Sequence, residues 1–383
     1  MNQLSSSTSN SDRSSRSWRR GLKLTGWAAA FLVLFDIGVN LLFAYPQDPQ
    51  NLNPNRLQLY FDYGRSMEGR LRRATRRDPT QTAPITLAGW YEPITAVQRA
   101  DKPSGKTITL YGNSQTVRLA DALQKVSPRY SARTVAGPGS TANWGYGAFL
   151  RDKNASASEA VVLTIMPSNL PMITTMSAMT WNMSFAMPYT ADGFSLSGGR
   201  LVRHVPPYES FEEYVQTLED EDSWQAALEV FRRHDPFYDS FLLEQTLLDH
   251  STLVRLARRG WAQRRDGKVR AQSLRRGGRL QNEDESIRIA NAIIAAFAKD
   301  AREAGLLPVI YIVNSRGYGD QMYRVLEKTL RKNKIPHLST HFLLDPNDPR
   351  NYLPDNHFTD ANDLVLARAM ARLLEDNLDH DPL

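Results

Sequence analysis

The stretch ITLYGNSQTVRLADAL, Ile108–Leu123, decides the fold. Strand-forming residues run to Tyr111, the chain turns at Gly112-Asn113-Ser114, and a helix-like segment begins at once over 115–126. Serine is a favoured helix cap and, beside a base, a nucleophile. Locally, both readings of Ser114 stay open.

Working outward, the same alternation repeats. SARTVAG (131–137) leads to a helix-like segment over 140–150, and AVVLTIM (160–166) leads to one from 170. After a long middle region, NEDESIRIANAIIAAFAKDAREAG (282–305) has a strong 3.6-residue period and ends at Gly305. LLPVIYIV (306–313) reads as a buried strand, 318–333 as a helix, IPHLST (335–340) as a short strand and TDANDLVLARAMARLLEDNL (359–378) as the last helix. Continuous apolar strands separated by helices imply a parallel sheet covered on both faces. The expected fold is α/β, a three-layer sandwich over 106–383, interrupted by a helical insertion at about 200–280 with no strand pattern. The insertion is acidic first and strongly basic from Arg255 to Arg279. That basic run is either a solvated helix end with a mobile loop, or a surface for lipid headgroups or an acidic polymer.

The N-terminus sets the compartment. Residues 1–15 are rich in Ser, Asn and Arg, the composition of a disordered tail. Leu24–Ala44 is nearly all apolar, long enough for a helix of ~30 Å, about one bilayer core. Arg13, Arg16, Arg19, Arg20 and Lys23 precede it, and the next positive charge is Arg56. This bias puts the tail, 1–23, in the cytoplasm and the main domain in the periplasm or outside the cell. A cleaved signal peptide is the alternative, but FAYP (43–46) places Phe where a small residue is needed. Asp36 and Asn40 lie four apart on one face of the span, either as tolerated polar residues or as a face that meets another membrane protein. A polar linker, 47–58, and a basic amphipathic helix, 59–78, join the anchor to the domain. The chain has 47 Lys and Arg against 41 Asp and Glu, and no cysteine, which excludes disulfides, thiolate metal sites and a cysteine nucleophile. Nucleic acid is not an expected partner of an exported domain.

In an open parallel sheet the site forms at the carboxyl ends of the strands. Those positions hold Gly112-Asn113-Ser114, Gly137-Pro138-Gly139-Ser140, Pro167-Ser168-Asn169 and Asn314-Ser315-Arg316, and Asp355-Asn356-His357 precedes the last helix. Serine, histidine and aspartate are the parts of an acyl-transfer relay, and backbone N–H groups with an amide side chain can stabilise an oxyanion. Each residue also has a plain structural reading: Ser114 or Asn169 as a cap, Gly139 as a turn glycine, His357 as a loop histidine. Asp360 is the fallback acid. His337 and His341 flank a strand and are not expected to bind metal.

The order Gly-x-Ser, a second-loop Gly, x-x-Asn and a late Asp…His resembles the SGNH (GDSL-like) hydrolase superfamily. The resemblance covers about 107–175 and 305–378. It implies a flavodoxin-like sheet, a catalytic Ser114, His357 and Asp355, and an oxyanion hole from Ser114 N–H, Gly139 N–H and the Asn169 side chain. Gly-Asn-Ser replaces the usual Gly-Asp-Ser, and Pro-Ser-Asn-Leu replaces Gly-x-Asn-Asp. Asp355 stands two residues before His357 rather than three. That spacing resembles the Asp-x-His of SGNH-type O-acetyltransferases that modify alginate, where the motif precedes the serine. With the anchor, the resemblance implies an extracytoplasmic O-acetyltransferase of an envelope or exported polysaccharide, working with a multi-pass membrane acyltransferase and without metal or cofactor. An esterase acting on acylated polysaccharide or lipid, and a non-catalytic glycan-binding scaffold, are the alternatives.

Overall fold

The computed structural model describes residues 11–43, 56–75, 89–91, 105–183, 187–272 and 279–379. Its strands are β1 (Lys106–Gly112), β2 (Tyr130–Ala136), β3 (Ala160–Ile165), β4 (Gly193–Ser197), β5 (Arg200–His204), β6 (Leu307–Ile312) and β7 (His337–Ser339). The α-helices are α1 (Ser11–Leu42), α2 (Arg56–Asp62), α3 (Met67–Thr75), α4 (Ser114–Val126), α5 (Ala142–Arg151) and α6 (Phe211–Glu219). They continue with α7 (Glu221–His234), α8 (Ser240–Leu243), α9 (Thr252–Gln272), α10 (Glu285–Glu303), α11 (Gln321–Lys332) and α12 (Asp360–Leu378).

Five strands form one parallel sheet in the order β2-β1-β3-β6-β7. Side chains alternate across each strand, so the sheet supplies two cores. Val161, Leu163, Ile165, Ile310 and Ile312 pack under α5, α10 and α11. Ile108, Leu110, Val162, Val309 and Tyr311 pack under α4 and α12. On α12, Leu366, Met370 and Leu374 recur every four residues and are fully buried. Each such side chain stabilises the fold by roughly 1.5–3 kcal/mol. The expected three layers are therefore present. The chain leaves β1 toward β2 and then returns past β1 to β3, so a crevice opens between the carboxyl ends of β1 and β3.

The insertion departs from the sequence expectation at its start. β4 and β5 form an antiparallel hairpin, with Gly193 opposite His204 and Ser197 opposite Arg200. Gly198 and Gly199 both have positive φ, 56° and 76°, as a tight two-residue hairpin turn demands. The alternation in FSLS and RLVRH around Gly-Gly is the signal that the all-helical reading passed over. The basic run is also more structural than expected. Arg258 is buried and ion-paired with Asp249, and Arg255 donates to the Asp249 carbonyl. Residues 273–278 of that run lie outside the described residues.

Toward the N-terminus, the helix begins at Ser11 rather than near Leu24; the tail before it, 1–10, and the linker 47–55 lie outside the described residues. Gly21–Leu42 is long and apolar enough to cross a membrane, with a mean hydropathy of 1.6 and exposed side chains such as Trp27, Phe31 and Leu34. The expected single helix over 59–78 is broken into α2 and α3, and residues 76–78 lie outside the described residues. At the break α9 comes close to the backbone: a Cβ on Gly64 would sit 2.0 Å from the Arg255 carbonyl oxygen. The α2–α3 segment is part of the folded body, since Met67 and Leu71 are fully buried and Ser66 donates to Asp249. The Asp36–Asn40 face is at least partly taken up within the chain. Leu253 N–H donates to the Asp36 carboxylate at 2.9 Å, and the Asn40 amide donates to the Asp36 carbonyl at 2.9 Å.

Candidate active site

The site is built where β1 ends. Gly112 is required by close approach: a Cβ there would meet Thr116 Oγ1 at 2.2 Å and Thr164 Cβ at 2.7 Å. Asn113, not Ser114, caps α4. Its side chain accepts the Gln115 N–H at 3.0 Å, and Thr116 Oγ1 accepts the Asn113 N–H at 3.0 Å in a capping box. Ser114 is thus the first helical residue, exposed, with its hydroxyl not engaged in the cap and its N–H in the unsatisfied first turn of the helix.

The His357 Nε2 lies 2.7 Å from the Ser114 Oγ. On the other side of the ring, Nδ1 lies 2.9 Å from Asp355 Oδ2. In a neutral imidazole, Nδ1–H donates to Asp355 and Nε2 accepts the serine proton, the tautomer that general-base work needs. The two-residue spacing is reconciled by backbone geometry. Asn356 adopts a left-handed conformation, φ 67°, and His357 N–H donates to Asp355 Oδ1 at 3.1 Å. The loop is closed by Leu353 N–H to the His357 carbonyl at 2.7 Å and by the Tyr352–Phe358 bridge. Both side chains therefore emerge on one side of a short turn. The His357 hydrogen bonds hold the exposed Asp355 carboxyl below the usual aspartate range. Asp360, the fallback acid, is paired with Arg118.

The ends of β1 and β3 converge on the Ser140 carbonyl, after β2, whereas Asn314 after β6 pairs with Ser339 and Thr340. The Ser140 carbonyl accepts the Asn113 amide at 3.3 Å and the Asn169 amide at 3.1 Å, and Asn169 also reaches the Gly139 carbonyl at 3.3 Å. Ser140 Oγ donates back to the Gly112 carbonyl at 2.5 Å. The loops after β1, β2 and β3 are thereby tied together, with Gly139 at φ 64° in the turn. Asn169 stands at the site, with its amide spent on loop carbonyls in this state.

Two contributors escaped the sequence reading. Arg118, one turn into α4, donates to Asp360 at 2.7 Å, to Asp363 at 2.8 Å and to the Phe358 carbonyl at 3.0 Å, locking the histidine loop to α4. Gln115 donates to the Asn356 carbonyl at 3.2 Å. Nothing local marks either residue, because their partners lie some 240 positions away. His341 bonds to Ser339 and His337 to the Ile335 carbonyl. Among the described residues, no group of three or more His, Asp or Glu side chains is placed to hold a metal. No protein-family model matches the chain, and no curated protein matches it in sequence.

Proposed function

We propose that this chain is a membrane-anchored SGNH-like serine O-acyltransferase that acylates a polysaccharide outside the cytoplasm. The observation that carries the reading is the continuous Ser114–His357–Asp355 relay, 2.7 Å and 2.9 Å at its two joints. The sheet supports it too. Numbered among themselves, its strands run 2-1-3-4-5, the flavodoxin-like order, with the site at the switch point.

In this mechanism Ser114 Oγ attacks the acyl carbonyl as its proton passes to His357 Nε2. Asp355 steadies the imidazolium. The Ser114 and Gly139 N–H groups, with an Asn169 amide released from the loop carbonyls, receive the oxyanion. Collapse breaks the bond to the donor group, which leaves with the proton from Nε2, and an acyl-serine ester remains. A sugar hydroxyl then gives its proton to Nε2 and attacks that ester, and Ser114 recovers its hydrogen. A multi-pass membrane acyltransferase is the natural acyl donor for an anchored domain whose basic flank precedes the span.

One observation favours a second reading. Ser114 is exposed and the Asp355 side chain is 65 % exposed, so water has access to the ester, and an esterase would use the same groups. The test compares Ser114→Ala with wild type for acylation of envelope polysaccharide in cells and for ester hydrolysis by purified protein. Transferase action predicts loss of polymer acylation with little hydrolysis by either protein. Loss of hydrolysis alone establishes the esterase, and no change in either measurement rejects serine catalysis.

A further inference from the structure

The end of the anchor is docked on the body of the protein at two levels. Phe43 packs against Phe61 of α2, ring centroids 5.5 Å apart. Further back, Asp36 accepts the N–H of Leu253, in the first turn of α9. Asp36 lies six residues before Leu42, the end of the apolar span. At 1.5 Å per residue, that is about 9 Å inside the span's end. A span that fills the bilayer therefore draws the start of α9 past the headgroups, into the outer part of the acyl layer.

The neighbouring chain is suited to that place. The 3-10 turn Leu247–His250 leads directly into α9, with Leu247 87 % exposed and Leu248 52 % exposed. Two adjacent leucines thus face solvent next to the segment that meets the span. On α2, which also packs against α9, Tyr60 is 44 % exposed and carries the Arg259 guanidinium over its ring at 4.1 Å. An amphipathic ring paired with a cation is the chemistry of the headgroup level. The Asp36 carboxylate at the N-terminus of α9 also explains why an acid is tolerated so far along the span: the N–H group and the helix field receive it.

We infer that the turn Leu247–His250 and the adjoining faces of α2 and α9 form a second membrane contact, with Leu247 and Leu248 inserted into the leaflet from which the anchor emerges. The occupant of this surface is the lipid bilayer. The inference rests on Gly21–Leu42 spanning the membrane and is independent of the acyl chemistry.

The absence of cysteine makes the test direct. Single variants Leu248→Cys, Phe31→Cys in the span and Phe342→Cys, an exposed residue of the main domain, are labelled with an environment-sensitive fluorophore. The full chain is reconstituted into vesicles of phosphatidylethanolamine and phosphatidylglycerol with nitroxide-labelled lipids. The expected result is a blue-shifted label at position 248, quenched by shallow nitroxides and several-fold less by iodide than the label at 342. Equal iodide quenching at 248 and 342, with the label at 31 quenched by deep nitroxides, overturns the contact and leaves the span intact. A label at 31 open to iodide overturns both the span and the contact built on it.

Discussion

At the scale of single residues, the site turns on Asn356. Its positive φ lets a two-residue Asp-x-His unit bring the carboxylate back to the ring's Nδ1. Left-handed backbone costs ordinary residues roughly 1–2 kcal/mol, least for Gly and Asn. Asn356→Gly should keep the turnover number with a test ester close to wild type, whereas Asn356→Val should lower it by at least tenfold; equal rates for both would remove the turn from the mechanism. Asp355 is water-exposed, so its field is screened, and Asp355→Asn should cost about 10²-fold in turnover, the low end of ~10²–10⁴ for positioned acid–base groups. His357→Ala should cost nearer the top of that range. The sequence alone could suggest Ser114, His357 and Asp355, since types and order survive without coordinates. It could not tell cap from nucleophile. The capping box removes the cap reading by assigning the cap to Asn113, and leaves the Ser114 hydroxyl out of it.

At the scale of elements, the site is a clamp between α4 and α12. Arg118 reaches the first turn of α12 and the Phe358 carbonyl together, and Asp363 is buried enough that its carboxyl is pushed up despite that cation. Arg118→Leu leaves Asp363 without its ion partner. We expect a stability loss of about 1–3 kcal/mol, discounted from a fully buried pair, read by urea unfolding. Turnover should fall with little change in KM, because the arginine positions the base and does not meet substrate; Arg118→Lys should restore less than half of the lost turnover, a lysine offering no planar fork. An unchanged KM–kcat split in Arg118→Leu would reduce the residue to packing. The sheet and its covering helices were legible because each strand is a continuous apolar run and each helix keeps its period. The β4–β5 hairpin was not read because one face of each strand is polar and the surrounding charge resembled helix surface, although Gly198-Gly199 marked its turn.

At the scale of the molecule, the insertion is joined through buried polar contacts to the segment that follows β3. Asp235, at the end of α7, accepts the Met176 N–H at 2.8 Å and the Thr180 hydroxyl at 2.9 Å. Burial pushes its carboxyl up to about 6, against the lowering effect of those donors. A carboxyl raised above its unfolded value near 4 stabilises the fold fully below that value, and the contribution is lost as pH rises through 6. The amount is ~3 kcal/mol for a difference of about two pH units. Between pH 4 and 7, wild type should therefore lose more unfolding free energy than Asp235→Ala; parallel pH profiles would contradict this. Long-range couplings of this kind, like Leu253 with Asp36, leave no mark in a single sequence, because neither partner's neighbours announce the other.

In the proposed mechanism, the loop from Tyr352 to Phe358 carries both the base and the acid. That chemistry would depend on seven consecutive residues, remote in sequence from Ser114. An antibody fragment or cyclic peptide that prised this turn open would silence the protein without entering the crevice.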